Sequence, residues 1–208
     1  MNPFTLGLER FADLVSLPAA WGIFITGAVI YLITEWRIRF LALVVQYLFV
    51  GVLFAQIFDQ RPEMVLMKMS VGWIISGALL LSARIRSQAV KRERGTGRMR
   101  WAANLPFRIM SLLTATTVAW LASQRYTLPY VSADLGLACF LLVVLAILYM
   151  GMEEHPGVVG VGVLNLLTAL DIFYLAQDPG LLVSGLLVIV SLLVGLASSY
   201  LTVIEVPA

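Results

Sequence analysis

Seven long runs of apolar residues dominate the sequence and constrain its fold more than any other feature. A lipid core about 30 Å thick is crossed by about 20 apolar residues in a helix. Inside lipid, every backbone N–H and C=O group must be satisfied within the protein, so the runs are predicted to be α-helices. The predicted spans are residues 14–34, 40–58, 64–83, 109–124, 135–152, 157–177 and 181–204.

The composition excludes an ordinary soluble domain. Hydrophobic residues make up 61% of the 208 residues and charged residues 12%, whereas soluble chains are about half apolar and about a quarter charged. The net charge of +2 is too small to indicate a nucleic-acid partner. A single cysteine, Cys139, excludes an internal disulfide, and the first 20 residues lack the pattern of a cleaved signal peptide. The sequence therefore predicts an all-α, polytopic transmembrane bundle.

One connection, residues 84–108, is long and basic, with eight Lys or Arg residues and one Glu. The positive-inside rule predicts that this loop is cytoplasmic. With seven spans, the N-terminus then lies outside and the C-terminus inside. The loop is either a topology signal resting on anionic lipid headgroups or a docking surface for a partner. Its candidate docking residues are Arg84, Arg86, Lys91, Arg92, Arg94, Arg98 and Arg100.

A shift of 119 residues aligns polar positions in the two ends of the chain. It places Glu35 on Glu154, Gln46 on Asn165, and Asp59 on Asp178. Spans one to three would then correspond to spans five to seven. Because the copies are four spans apart, they would point the same way through the membrane, as a parallel repeat. The predicted units are a three-helix unit over 1–83, the basic loop 84–108, a connecting helix and outer loop over 109–134, and a second three-helix unit over 135–208.

Two stretches of the sequence are typical of a known family: "WRIRFLALVVQYLF" and "EEHPGVVGVGVLNLLTALDIFYLAQDPGLL". Together with this layout of helices, they resemble hydrogenase-4 component E. Each half is similar to the K-type subunit of respiratory complex I and to the C-type subunit of multisubunit cation/proton antiporters. The resemblance implies a membrane-arm subunit of an ion-translocating redox or antiporter complex, packed beside antiporter-like subunits in the bilayer. It also implies a bacterial or archaeal cytoplasmic membrane, no cofactor and no catalysis by this chain alone.

The sequence departs from that family at one informative position. K-type subunits carry a Glu in the middle of the second helix, and the alignment places Asn165 there in the second half and Gln46 in the first. An amide forms hydrogen bonds but does not release a proton near neutral pH. We therefore expect the chain to brace or hydrate an ion path and not to provide its main relay.

Lys68 and Asp171 are ionisable residues placed within predicted spans, at comparable depth in the outer half. A charge inside the membrane costs at least about 2.5 kcal/mol, and such groups usually pair or mark an ion path. We expect the two to pair or to face a common polar cavity. The alternatives are that Lys68 extends to the interface along its long stem and that Asp171 is a tolerated buried acid.

Other features admit less specific interpretations. His155, with Glu153 and Glu154, lies at a predicted helix junction, where solvated side chains are favoured over a metal site. Gln46 and Asn165 are also candidates for simple hydrogen bonding between helices. The glycines of "GVVGVG" give span six a face that other helices can approach closely. A free-standing transporter or channel and a non-conducting assembly scaffold remain alternative functions.

Overall fold

The computed structural model describes residues 3–57, 62–91, 105–126, 132–153, 155–177 and 180–204. In these residues the all-α prediction is confirmed. The helices are α1 (Pro3–Leu32), α2 (Trp36–Ile57), α3 (Pro62–Lys91), α4 (Leu105–Arg125), α5 (Ala133–Met152), α6 (Pro156–Gln177) and α7 (Leu181–Ile204).

Six of these helices are long and apolar enough to cross a membrane. The spanning segments are Trp36–Ala55, Val65–Ser87, Leu105–Arg125, Ala133–Met152, Pro156–Gln177 and Leu182–Ile204. In α1 the described apolar segment is shorter, from Pro18 to Leu32. Together these helices indicate an integral membrane protein.

Several helices extend beyond the apolar runs that predicted them. The first begins at Pro3, well before residue 14, and α3 continues past residue 83 to Lys91. The fourth begins at Leu105, so both ends of the predicted basic loop are helical. An apolar run marks the part of a helix that suits lipid, whereas backbone hydrogen bonding continues through polar sequence such as "RIRSQAVK".

The helices pack as two rows that face each other. One row is α1, α2 and α3, and the other is α5, α6 and α7, with each helix touching the next in its row. Contacts of α1 with α5, of α2 with α6, and of α3 with α7 join the rows, and α4 packs against α5 and the edge of α1. The central pair, α2 and α6, touch at few positions, and it is there that the polar side chains gather.

Three glycines allow α6 to lie close to both of its row neighbours. A Cβ atom at Gly160 would lie 2.4 Å from the Cβ of Ser198 on α7, and one at Gly162 would lie 3.0 Å from the Ala146 carbonyl oxygen on α5. Gly157 faces Thr202 on α7. The small-residue face predicted from "GVVGVG" is thus used inside the chain, between α5 and α7.

Candidate functional site

A buried ion pair joins α3 to α6. The Lys68 ammonium donates to the Asp171 carboxylate oxygen Oδ2, and the two side chains are 6% and 8% exposed. The ammonium also lies 3.4 Å from the Ser184 carbonyl oxygen on α7 and 5.6 Å from the centre of the Phe54 ring on α2. Four helices therefore surround one positive and one negative charge.

The position of the pair follows from where each residue lies on its helix. Lys68 is six residues after the start of α3 at Pro62, and Asp171 is six residues before the end of α6 at Gln177. At a rise of 1.5 Å per residue, each lies about 9 Å from the helix end. Because α3 and α6 run in opposite directions, these two positions have the same depth. The structure thus brings the two residues together, and Lys68 does not extend to the interface.

A small cavity of about 30 Å³ adjoins the ion pair between α2, α3, α6 and α7. Its wall is partly apolar and partly polar. The polar contributors are Tyr47, Lys68, Thr168, Asp171 and Ser191. This cavity gives the two charges a neighbouring space, while their own side chains remain only 6% and 8% exposed.

The two amides form a second polar contact. Gln46 Nε2 donates to Asn165 Oδ1 across 3.2 Å, linking α2 to α6, and both residues are buried. Their other polar atoms, Gln46 Oε1 and Asn165 Nδ2, have no hydrogen-bond partner in the described part of the chain. Asn165 lies about 9 Å along α6 from Asp171, further from the end of the helix. The two amides that the sequence singled out on α2 and α6 thus contact each other.

Replacing either Gln46 or Asn165 with Leu is expected to lower the free energy of unfolding by about 1 kcal/mol, within the range measured for hydrogen bonds between membrane helices. The double Leu variant should lose less than the sum, because neither amide is then left unpaired. The measurement is equilibrium unfolding of the purified chain in micelles. Ser70→Ala, on an exposed face of α3, is the control and should have a smaller effect. Additive losses would show that the amides do not interact.

A second charge cluster lies at the end of the bundle where α1, α2, α4 and α5 meet. Glu153, just after α5, accepts from Arg39 NH2 at 2.8 Å and from Arg108 NH1 at 2.5 Å. Arg108 also donates to the Tyr31 carbonyl oxygen at 2.8 Å, and Arg39 donates to the Ile33 carbonyl oxygen. Tyr31 lies in the last turn of α1 and Ile33 directly follows the helix, where four carbonyls lack a partner within the helix. The cluster satisfies two of them and attaches α4 to the bundle.

Sequence reasoning missed this cluster. It counted Arg108 among the basic residues of the loop 84–108 and favoured a solvated Glu153, whose side chain is instead only 9% exposed and lies between the guanidinium groups of Arg39 and Arg108. Two features of the sequence could have indicated this cluster: an arginine in the first turn of each of two apolar helices, and a glutamate at the end of a third.

Among the described residues, no three His, Cys, Asp or Glu side chains form a group that could hold a metal.

The described residues include only some of the predicted docking residues. Arg84 is exposed, whereas Arg86 is partly buried against the imidazole of His155. Lys91 is the last residue of α3. Arg92, Arg94, Arg98 and Arg100 lie outside the described residues.

No family model, curated protein or solved structure matches this chain. Membership of the hydrogenase-4 component E family therefore stays a prediction.

Proposed function

We propose that this chain is a small membrane subunit of an ion-translocating complex, either a redox complex similar to hydrogenase-4 and complex I or a multisubunit cation/proton antiporter. In this role it has no catalytic activity of its own. Its Lys68–Asp171 pair lines or adjoins a proton or cation path that neighbouring antiporter-like subunits complete. The buried ion pair is the observation that carries the proposal.

A buried pair of this kind is costly, which favours a functional role. Removing two ions from water costs several kcal/mol each, and their attraction offsets this only with good geometry and additional hydrogen bonds. Here one carboxylate oxygen, Asp171 Oδ1, has no partner in the described residues. Apolar residues of similar size would pack the bundle with less cost. Ionisable groups retained inside a membrane usually pair, face the bundle interior and mark ion pathways.

The proposal includes the parallel repeat, because several pairs of side chains that touch each other are separated by nearly the same number of residues along the chain. Gln46 and Asn165 are 119 residues apart, Tyr149 and Gly27 are 122 apart, and Ser82 and Ser199 are 117 apart. Such contacts are expected when α1, α2 and α3 lie beside α5, α6 and α7 in the same direction and at the same depth. They support a duplicated three-helix unit. The proposal places the N-terminus outside and the basic segment at the cytoplasmic face because of the positive-inside rule.

Asp171→Asn is the direct test of the proposed ion path. Asparagine keeps the shape and hydrogen-bonding capacity of the side chain but removes its charge. We expect the variant to assemble with its partner subunits and to reduce coupled proton or cation transport, measured in vesicles that contain the whole complex. Glu35→Gln, at a half-buried position near the end of α1, is the matched control and should leave transport unchanged.

Purification with partners tests the other part of the proposal. Stable co-isolation with large antiporter-like subunits is expected for a membrane-arm subunit. Normal assembly together with normal transport in Asp171→Asn would favour a scaffold without an ion path. An active particle containing this chain alone would favour a free-standing transporter or channel.

A further inference from the structure

We infer that the cavity between α2, α3, α6 and α7 is an internal water site, in which ordered water hydrogen-bonds to Asp171 Oδ1 and to the hydroxyls of Thr168 and Ser191. A second water position lies on the Gln46–Asn165 amide pair. The role of this water in an ion path rests on the proposed function, whereas its presence depends only on the geometry of this chain.

The first support is the volume of the cavity. It measures about 30 Å³, and a cavity holds a water molecule when it offers about 10–15 Å³ or more and two to four polar partners. One or two waters therefore fit. Asp171, Thr168 and Ser191 line the space and supply acceptors and donors. An apolar cavity of this size would stay dry, but this one has a carboxylate in its wall.

The second support is a set of buried polar atoms without protein partners. In the described part of the chain these include Asp171 Oδ1, Gln46 Oε1 and Asn165 Nδ2. Buried polar groups in folded proteins are nearly always hydrogen-bonded to protein or to ordered water. An ionised carboxylate accepts about four hydrogen bonds, and Asp171 receives one from Lys68.

The amide pair is suited to a bridging water. Within the described residues Gln46 Oε1 is an acceptor and Asn165 Nδ2 a donor without a partner, and the two side chains are already joined by one hydrogen bond. One water can accept from the asparagine and donate to the glutamine. On α6, Asn165 precedes Thr168 by about one turn, and on α2, Gln46 is next to Tyr47 in the cavity wall. Because Thr168 and Tyr47 line the cavity, the amide pair lies within about one helical turn of the cavity wall, and we expect water there to extend the hydration that begins at the ion pair.

Radiolytic hydroxyl-radical labelling tests this inference, because radicals generated from bound water modify the side chains beside it. The cavity wall contains two reactive reporters, Tyr47 and Met69. Tyr149 is the reference for a tyrosine shielded from solvent, since it is fully buried and its hydroxyl donates to the Gly27 carbonyl oxygen at 2.8 Å, whereas Tyr47 is partly exposed. In the purified full-length chain, we expect Tyr47 to be modified several-fold faster than Tyr149.

Two variants test whether the labelling of Tyr47 depends on water in this cavity. Ser191→Val places a larger apolar side chain in the cavity, and Thr168→Val removes a hydroxyl while keeping the shape of the side chain. Each should slow the modification of Tyr47 and Met69 several-fold and leave Tyr149 unchanged. Ser70→Val, the same kind of change on an exposed face of α3, should alter neither rate.

Equal rates at Tyr47 and Tyr149 in the wild-type chain would overturn the inference, even if no variant could be purified. So would a fast rate at Tyr47 that neither Ser191→Val nor Thr168→Val reduces. The labelling requires no transport and no partner subunit. Labelling could therefore show a wet cavity while the Asp171→Asn variant transports normally. That combination would reject the proposed ion path and leave the water site intact.

Discussion

Replacing Lys68 alone with Met is expected to lower the free energy of unfolding by about 3–5 kcal/mol, the usual cost of removing one partner of a buried ion pair. The change leaves the Asp171 carboxylate enclosed by α2, α3, α6 and α7 without its counter-ion. The loss is measured by equilibrium unfolding of the purified chain in micelles. Asp171→Leu, which leaves the Lys68 ammonium unpaired, should have a similar effect.

The double variant Lys68→Met, Asp171→Leu is the control for this prediction. It removes both charges and replaces them with apolar side chains, so most of the stability lost in each single variant should return. The difference between the double variant and the sum of the singles gives the coupling between the two residues. Simple additivity would mean that the two charges do not stabilise each other.

Replacing Glu153 with Ala is expected to cost about 3–5 kcal/mol as well, because it leaves Arg39 and Arg108 partly buried, close together and without their carboxylate. Two guanidinium groups that share a site repel each other, and the ends of α1, α2, α4 and α5 meet there. We expect a large fall in the free energy of unfolding and a loosening of α4, which is otherwise attached mainly through α5. Cross-linking between α1 and α4 reports on the second effect.

Glu35→Ala is the matched control, since Glu35 is a carboxylate near the same end of α1 and forms no ion pair with a described residue. It should change stability by much less. Glu153→Gln distinguishes charge from hydrogen bonding, because the amide oxygen still accepts from one arginine. Equal stability of Glu153→Ala and Glu35→Ala would show that the cluster does not hold the helices together.

The two charge clusters give the helices specific neighbours. Apolar side chains pack against lipid tails as readily as against another helix, so helix association in a membrane depends on close packing and on polar contacts. One cluster joins α3 to α6 and α7, and the other joins α4 to α1, α2 and α5. Between them they involve all seven helices. The few charges inside this bundle thus help to select one arrangement of the helices among the many that apolar packing alone would allow.

The sequence alone determined that the chain is a helical bundle suited to a membrane, and it placed α5, α6 and α7 close to their observed ends. These features follow from apolar length, which is a local property. The number of residues between each side chain and the end of its predicted span also placed Lys68 and Asp171 at a similar depth in the membrane. Whether they would meet could not be read from the sequence, because depth does not specify which helices are neighbours.

The tertiary structure decided the neighbours, and with them the site. It placed Gln46 in contact with Asn165 and the Lys68 ammonium beside Ser184 and Phe54. It also placed Glu153 between the guanidinium groups of Arg39 and Arg108. Most of these contacts join residues more than 100 positions apart in the chain and leave no local sequence pattern. Their contacts arise from the packing of whole helices, whereas the hydrophobic signal of each helix reports only its own preference for lipid over water.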